Sequence, residues 1–393
     1  MAQRMPMKSP RELKYLAPQK DSTAATDAPS QTPNAPADAA ELLNLATKAK
    51  YVKEKKIGQG TYANVYKGHL ASDPSQLVAI KKIKVNAAFQ DGLALDAIRE
   101  MKCLQELAHP NIIALHAVFS SKAQNLNMVL EFLPQGDLET MIKDTSITYT
   151  LPHMKAWMSM LCGAVWFCHE NYVLHRDIKP NNLLIAADGE MKLADFGLAR
   201  SFADPGRRMS HQVITLWYRP PELFYQARHY SGAVDVWSVG CVFAELIRRV
   251  PWMPGTSDLD QLSKICDAVG TPTDDNWPGV SSLSGYIKPE KAEVKPVRGR
   301  DFYEANFSGV GTEGVGLLME MLKLDPRKRI TARQTLRHPW WTVNPRPATK
   351  EELPKKGGGV KAEEKMGDDL KRRGGELGDS NGKGKIARKL NFG

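Results

Sequence analysis

A chain of 393 residues with 42% hydrophobic and 25% charged residues has the balance of a globular protein and the length of about two domains, which excludes a collagen-like or wholly disordered polymer. No run approaches the ~18 apolar residues of a membrane-spanning helix, the first residues lack the apolar stretch of a secretory signal, and five cysteines without a Cys-x-x-Cys pair speak against a disulfide framework or zinc site and for a reducing compartment. The net charge of +10 gathers towards one end: residues 345–393 carry +5, residues 1–50 carry +2 and the long middle only +3, and so mixed-sign a tail is a weak case for specific nucleic-acid binding.

Residues 1–50 read as a mostly disordered extension. Up to about residue 40 they are rich in Ala, Pro, Ser, Thr, Gln and Asp, with few large apolar side chains to offset ordering entropy. Strands are expected at Tyr51–Ile57, Asn64–His69 and Leu77–Ile83, separated by turn residues such as Gly58, Gly60 and Ser72-Asp73-Pro74. Leu95, Ile98, Met101, Leu104 and Leu107 then recur at three- and four-residue spacing and predict a helix with one apolar stripe over 92–107. Two further strands are expected at Ile112–Phe119 and Leu126–Phe132. After Asp137 the pattern turns helical, with long segments at Met154–Glu170 and Val234–Arg248. The fold class expected is α+β: a small sheet-rich lobe over 51–133 and a larger, mainly helical lobe over 134–341, joined near 131–137. A Lys/Glu/Gly-rich tail over 342–393 is read as disordered.

The hairpin segment Gly58-Gln-Gly60-Thr61-Tyr62-Ala63-Asn-Val65 could lay backbone N–H groups over phosphates. Alone it fits an ordinary tight turn equally well. A dinucleotide-binding loop is disfavoured, because a strand rather than a helix follows and Lys81 stands where an acidic residue would be needed. Lys81, in Val78-Ala79-Ile-Lys81, lies at the distance that would put its ammonium beneath the loop, where it could hold two phosphates, and Glu100 on the next helix could fix it. Singly, each is as readily a surface residue. The informative stretch is His175-Arg176-Asp177-Ile-Lys179-Pro-Asn-Asn182, then Asp188-Gly189, then Asp195-Phe196-Gly197, which reads as loop, strand, tight turn, strand, loop. Such a hairpin brings Asp177, Asn182 and Asp195 to one end. Asn182 and Asp195 supply oxygen ligands suited to Mg²⁺, Asp177 could accept a proton from an attacking hydroxyl, and Lys179 adds positive charge near a transferring group.

Together these residues match the protein-kinase signature set, and the chain resembles that family over about residues 51–341. Pro220-Pro221-Glu222 resembles the family's Ala-Pro-Glu, with Pro220 in place of Ala. Asp235 and Arg329 match positions that brace the catalytic loop and pair with Glu222. Lys179 and Thr215 fit the serine/threonine pattern. Ala97-Ile-Arg99-Glu100 and Ser210-His-Gln-Val-Ile-Thr215-Leu-Trp-Tyr-Arg219 resemble the cyclin-binding helix and activation segment of cyclin-dependent kinases. Lys179-Pro-Asn-Asn182-Leu-Leu, Arg249-Val-Pro-Trp-Met-Pro-Gly255 and Gly270-Thr-Pro-Thr are similar to the branch that serves transcription factor TFIIH.

The resemblance implies a bilobal kinase fold, with ATP bound between the lobes. Ile57, Gly58, Gly60, Val65 and Ala79 would lie above the nucleotide, Leu184 below, Leu130 at the back, and Glu131 and Leu133 at the hinge, with Lys81 and Glu100 on the phosphates. Asn182 and Asp195 would hold Mg²⁺; Asp177, Lys179 and Thr215 would be catalytic. It further implies phosphorylation of Ser210 in a cluster of Arg99, Arg176 and Arg200, and inhibitory phosphorylation at Thr61 and Tyr62. The partners implied are a cyclin, a RING-containing assembly factor and the TFIIH core, with the RNA polymerase II C-terminal domain as substrate, in the nucleus. A cell-cycle member of the same family, or a pseudokinase scaffold, are the competing readings.

Overall fold

The computed structural model describes residues 39–59, 63–83, 95–121, 125–204, 206 and 208–355. By its internal contacts the chain divides into residues 1–42, of which the model describes 39–42, and residues 43–393. Helix α1 (Ala39–Ala49) lies within the stretch read as extension. Its Asn44 donates to the Ser120 carbonyl at 3.2 Å and accepts from the Ser120 N–H at 2.7 Å.

The small lobe is a five-stranded antiparallel sheet, β1 (Tyr51–Gln59), β2 (Ala63–Leu70), β3 (Asp73–Ile83), β4 (Leu115–Ser121) and β5 (Asn125–Glu131), in the order β1-β2-β3-β5-β4. Helix α2 (Leu95–Glu106) follows β3. The strand expected from Ile112 begins only at Leu115. The preceding backbone is taken by the large lobe: Ile113 N–H donates to the Leu193 carbonyl at 3.0 Å, and Leu193 N–H to the Asn111 carbonyl at 2.8 Å.

The large lobe opens with α3 (Leu138–Lys143), capped by Asp137, which accepts from the Thr140 N–H at 2.8 Å. Next come α4 (Leu151–Glu170) and the short strands β6 (Val173–Leu174), β7 (Leu183–Ile185), β8 (Met191–Leu193) and β9 (Arg200–Ser201), which form two ribbons, β6 with β9 and β7 with β8. The helices α5 (Pro221–Phe224), α6 (Ala233–Arg248), α7 (Asp258–Val269), α8 (Arg300–Phe307), α9 (Gly311–Met321) and α10 (Ala332–Thr335) complete it. Helix α6 is apolar around most of its circumference and accordingly buries every residue from Val234 to Leu246.

Residues 342–355, placed with the tail in the sequence reading, fold back over the large lobe. Buried Lys155 of α4 donates to the carbonyls of Val343 and Pro345, both at 2.8 Å. Lys350 pairs with Asp188 at 2.7 Å and Glu190 at 3.0 Å, and Leu353 is buried. Between those two acids Gly189 turns the β7–β8 corner with φ 90°, where a Cβ would come within 2.6 Å of Leu353. These contacts join positions far apart in sequence, so no local pattern announces them.

Glu245 of α6 is buried and accepts from the Tyr218 hydroxyl at 2.7 Å. Burial, with Glu139 adding to it, pushes its pKa from the ordinary 4.5 up to about 7, against the Tyr218 bond and Lys143. A carboxyl raised in the folded state contributes stability below its unfolded pKa and loses it as pH rises towards 7. Relative to Glu245→Gln, the wild type is therefore expected to lose up to roughly 3 kcal/mol between pH 4.5 and 7.5. Denaturant unfolding of both proteins across that range measures it, and parallel curves refute it.

Candidate active site

The sheet register explains why the small lobe presents one particular set of side chains. Val65 stands opposite both Gly58 and Lys81, Ala79 opposite Leu130, and Lys81 opposite Met128. Opposed residues, and residues two apart, share a face, so Val65, Ala79, Lys81 and Leu130 all project from the same side. Ile57, Leu130 and Leu133 are buried. Glu131, at the end of β5, donates its N–H to the Ala114 carbonyl at 3.0 Å, and its carboxylate meets Lys192 at 2.8 Å. On β7, Leu183 and Ile185 are buried and Leu184 between them points to the opposite face, half-buried. Gly60, Thr61 and Tyr62 lie outside the described residues.

Lys81 Nζ donates to both Glu100 oxygens, at 2.8 and 2.6 Å, and stands 3.7 Å from Asp195. Burial, with Asp195 adding to it, pushes the Glu100 carboxyl up, and Lys81 opposes this. The ammonium thus binds two elements, α2 and the loop after β8. Asp195 is left-handed (φ 64°, ψ 74°), a conformation Asp tolerates better than most side chains, and 44% of its side chain stays exposed. Phe196 after it is fully buried, edge-on to His175 at 4.7 Å.

The loop after β6 is hung from Asp235 of α6. That fully buried carboxylate accepts from the His175 and Arg176 N–H groups and from His169 Nε2, each at 2.9 Å. Burial opposes its ionisation, yet the hydrogen bonds from His169 and the Arg176 N–H hold it below the ordinary range. Burial keeps His175 neutral. Its Nδ1 accepts from the Asp177 N–H at 3.2 Å, so its Nε2 carries the proton and donates to the Ala194 carbonyl at 3.1 Å. One imidazole thereby ties the Asp177 backbone to the residue before Asp195.

Asn182 Nδ2 donates to the Asp177 carbonyl at 2.7 Å and to its carboxylate at 2.8 Å, which turns Oδ1 away from Asp177. Thr215 Oγ1 donates to Asp177 Oδ1 at 2.7 Å. Lys179 Nζ reaches Asp177 Oδ2 at 2.9 Å and Thr215 Oγ1 at 2.8 Å. Asp177, Lys179, Asn182 and Thr215 are thus one hydrogen-bonded cluster. The oxygens of Asn182 and Asp195, hard donors few in number, fit a Mg²⁺ ion that takes most of its shell from phosphate and water.

Two of the contacts that hold the activation segment come from arginines. Arg219 donates to the Val213 carbonyl at 3.0 Å and to the Ile214 carbonyl at 3.1 and 3.2 Å, with Ile214 left-handed at φ 69°. Glu222 accepts two buried hydrogen bonds from Arg329, at 2.7 and 3.1 Å. Two of the three arginines, Arg176 and Arg200, both lie close enough to Tyr230 to act on its hydroxyl electrostatically. Arg99 pairs with Asp96 on its own helix at 2.7 Å, Arg176 bonds the Leu198 carbonyl at 2.8 Å and the Tyr230 hydroxyl at 2.9 Å, and Arg200 sits in β9 opposite Leu174. Ser210 is exposed, and its carbonyl accepts from Tyr230 at 2.7 Å. Tyr230 escaped the sequence reading. Its one signal was a place five residues before Asp235.

A family model described as protein kinase domain matches residues 51–341. Serine/threonine-protein kinase crk1 of Schizosaccharomyces pombe is 49% identical over 316 residues, covering 80% of this chain and 92% of the relative. KIN28 of Saccharomyces cerevisiae is 47% identical over 298 residues, 76% and 95% respectively. Cyclin-dependent kinase 7 of Xenopus laevis is 41% identical over 360 residues, 90% and 99%. A solved structure of the CAK complex from Chaetomium thermophilum bound to ATP-gamma-S contains a chain that is similar with a TM-score of 0.79 and 62% identity, covering 81% of this chain and 99% of that one.

Proposed function

The chain belongs to the protein kinase family, in its cyclin-dependent serine/threonine branch, and we propose that it is the TFIIH kinase, phosphorylating serine or threonine before proline in the RNA polymerase II C-terminal domain. The observation that carries the chemistry is the convergence of Lys81, Glu100 and Asp195 on one side and Asp177, Lys179, Asn182 and Thr215 on the other.

In this reading the adenine of ATP lies between Val65 and Ala79 above and Leu184 below, against Leu130, with backbone bonds at Glu131 and Leu133. Lys81, held by Glu100, orients the phosphates. Mg²⁺, held by Asn182 and Asp195, would neutralise charge on the phosphates. Asp177 aligns the substrate hydroxyl and takes its proton as the oxygen attacks the γ-phosphorus and the ADP oxygen leaves; Lys179 and Thr215 fix the Asp177 rotamer. Such catalysis is mostly positioning and electrostatics. Ser210 is the activating phosphorylation site, its phosphate drawing on Arg99, Arg176 and Arg200. Docking of a cyclin on α2 would hold Glu100 against Lys81 as the two already stand, and a RING-containing assembly factor and the TFIIH core complete a nuclear assembly.

Proline specificity has a local cause. The family resemblance places Val213 and Ile214 beside the residue after the phosphoacceptor, and their carbonyls are turned to Arg219, which would remove them as acceptors for that residue's N–H. Proline has no N–H to strand. With its cyclin, the chain should phosphorylate a peptide of RNA polymerase II C-terminal repeats, and replacing the following proline by alanine should cost about tenfold in kcat/KM. Equal rates on the two peptides would remove the proline-directed reading. Failure on the repeat peptide beside good turnover of another Ser-Pro peptide would remove the substrate.

A further inference from the structure

We propose that Tyr230 is a positioning residue that locks the activation segment without phosphate, by bridging Arg176 of the catalytic loop to the backbone of Ser210; this rests on the kinase reading above. The Tyr230 hydroxyl accepts from Arg176 Nη1 at 2.9 Å and donates to the Ser210 carbonyl at 2.7 Å. Burial holds the tyrosine pKa above its ordinary value, so the hydroxyl keeps the proton it donates at neutral pH.

Both ends of this bridge are stiff. Arg176 is left-handed at φ 63°, its N–H bonded to Asp235 at 2.9 Å and its Nε to the Leu198 carbonyl at 2.8 Å, so the guanidinium leaves an anchored backbone. Met209, beside Ser210, is buried and donates its N–H to the Arg228 carbonyl at 2.8 Å. Residues 209–210 are thus pinned to 228–230 twice. The entry to the segment is pinned by the β6–β9 ribbon and by the Phe202 N–H on the Tyr172 carbonyl at 3.0 Å. Downstream, Thr215 bonds Asp177, so the placing of residue 210 is carried to the catalytic carboxylate in five residues.

The bridge uses the main-chain carbonyl of residue 210 and is indifferent to its side chain. A phosphate on Ser210 would instead engage Arg176 directly and make the tyrosine redundant. Loss of the Tyr230 hydroxyl should therefore matter in one phosphorylation state and not in the other, whereas a mere packing role would be felt equally in both.

The test uses the full chain in complex with its cyclin. Tyr230→Phe, which keeps the ring, is placed in a Ser210→Ala background and in protein phosphorylated on Ser210, and kcat, KM and hydrogen exchange over 199–212 are read. In Ser210→Ala the second change should lower kcat about tenfold and speed exchange of the segment. In the phosphorylated protein it should change kcat by less than about twofold. Equal losses in both states, or no loss in Ser210→Ala, overturn the proposal. Absence of phosphoryl transfer from every form, phosphorylated protein included, would instead defeat the kinase reading. Exchange would then still decide, since unchanged protection in Tyr230→Phe refutes the bridge.

Discussion

Asp195→Asn is expected to lower kcat by about a thousandfold or more while leaving the melting temperature within a few degrees of wild type. The loss is large because the change removes a carboxylate placed to face both Lys81, at 3.7 Å, and a phosphate-bound cation, and fixed charges at the transferring group carry much of such a barrier. The fold should survive because the side chain is 44% exposed and lies outside the packed core, and asparagine tolerates the left-handed φ of 64° about as well as aspartate. Removing this charge also relieves part of what pushes Glu100 up, so the Lys81–Glu100 pair should persist. Steady-state turnover and thermal melting of the purified variant decide the matter. Turnover at the wild-type rate would overthrow the assignment of Asp195 to the phosphates.

Arg329→Met should do the reverse and strike stability first. The Arg329 and Glu222 side chains are 0% and 2% exposed, joined by two bonds, and the guanidinium also donates to the Ala233 carbonyl at 2.8 Å and the Lys323 carbonyl at 3.0 Å, with its face 5.0 Å from the Trp237 ring centre. Removing the arginine leaves a buried carboxylate uncompensated, a loss of about 3–5 kcal/mol, or roughly 10 °C in melting temperature for a domain of this size. The double change Glu222→Leu with Arg329→Met should recover part of it, because the buried charge goes too. A single variant within about 1 kcal/mol of wild type would mean that the pair is not what holds the activation segment to the lobe.

What was legible in the sequence was whatever repeats locally. The small-lobe strands follow from short strand-like runs between turn residues such as Gly58, Gly60 and Ser72-Asp73-Pro74, and α2 from five apolar residues at helical spacing. α4 and α6 begin within a few residues of where they were expected. The gathering of Asp177, Asn182 and Asp195 at one end of a hairpin was also readable, because β7 and β8 are short and their turn is marked by Asp188-Gly189. Contacts between distant residues stayed hidden. Nothing near Asn44 announces that its amide will satisfy Ser120 on an edge strand, nor does anything near Lys155 name its acceptors at 343 and 345. The cluster of Arg99, Arg176 and Arg200 about Ser210 came from the family resemblance and from no local pattern. The structure gives Arg99 an acidic neighbour of its own, and Arg176 a tyrosine 54 residues on. Spacing identifies which groups are charged; packing decides which neighbour each takes.

The strap over 342–355 moves the physical edge of the catalytic unit past residue 341, where the family match stops. A chain cut there would strand the Lys155 ammonium in the interior without its two carbonyl acceptors and uncover the apolar seat of Leu353 beside Gly189. The same hairpin that carries Asn182 and Asp195 at its open end would then lose the lysine clasping its closed end, so trimming the protein to its recognisable signature would loosen the very corner from which the pair proposed for magnesium is hung.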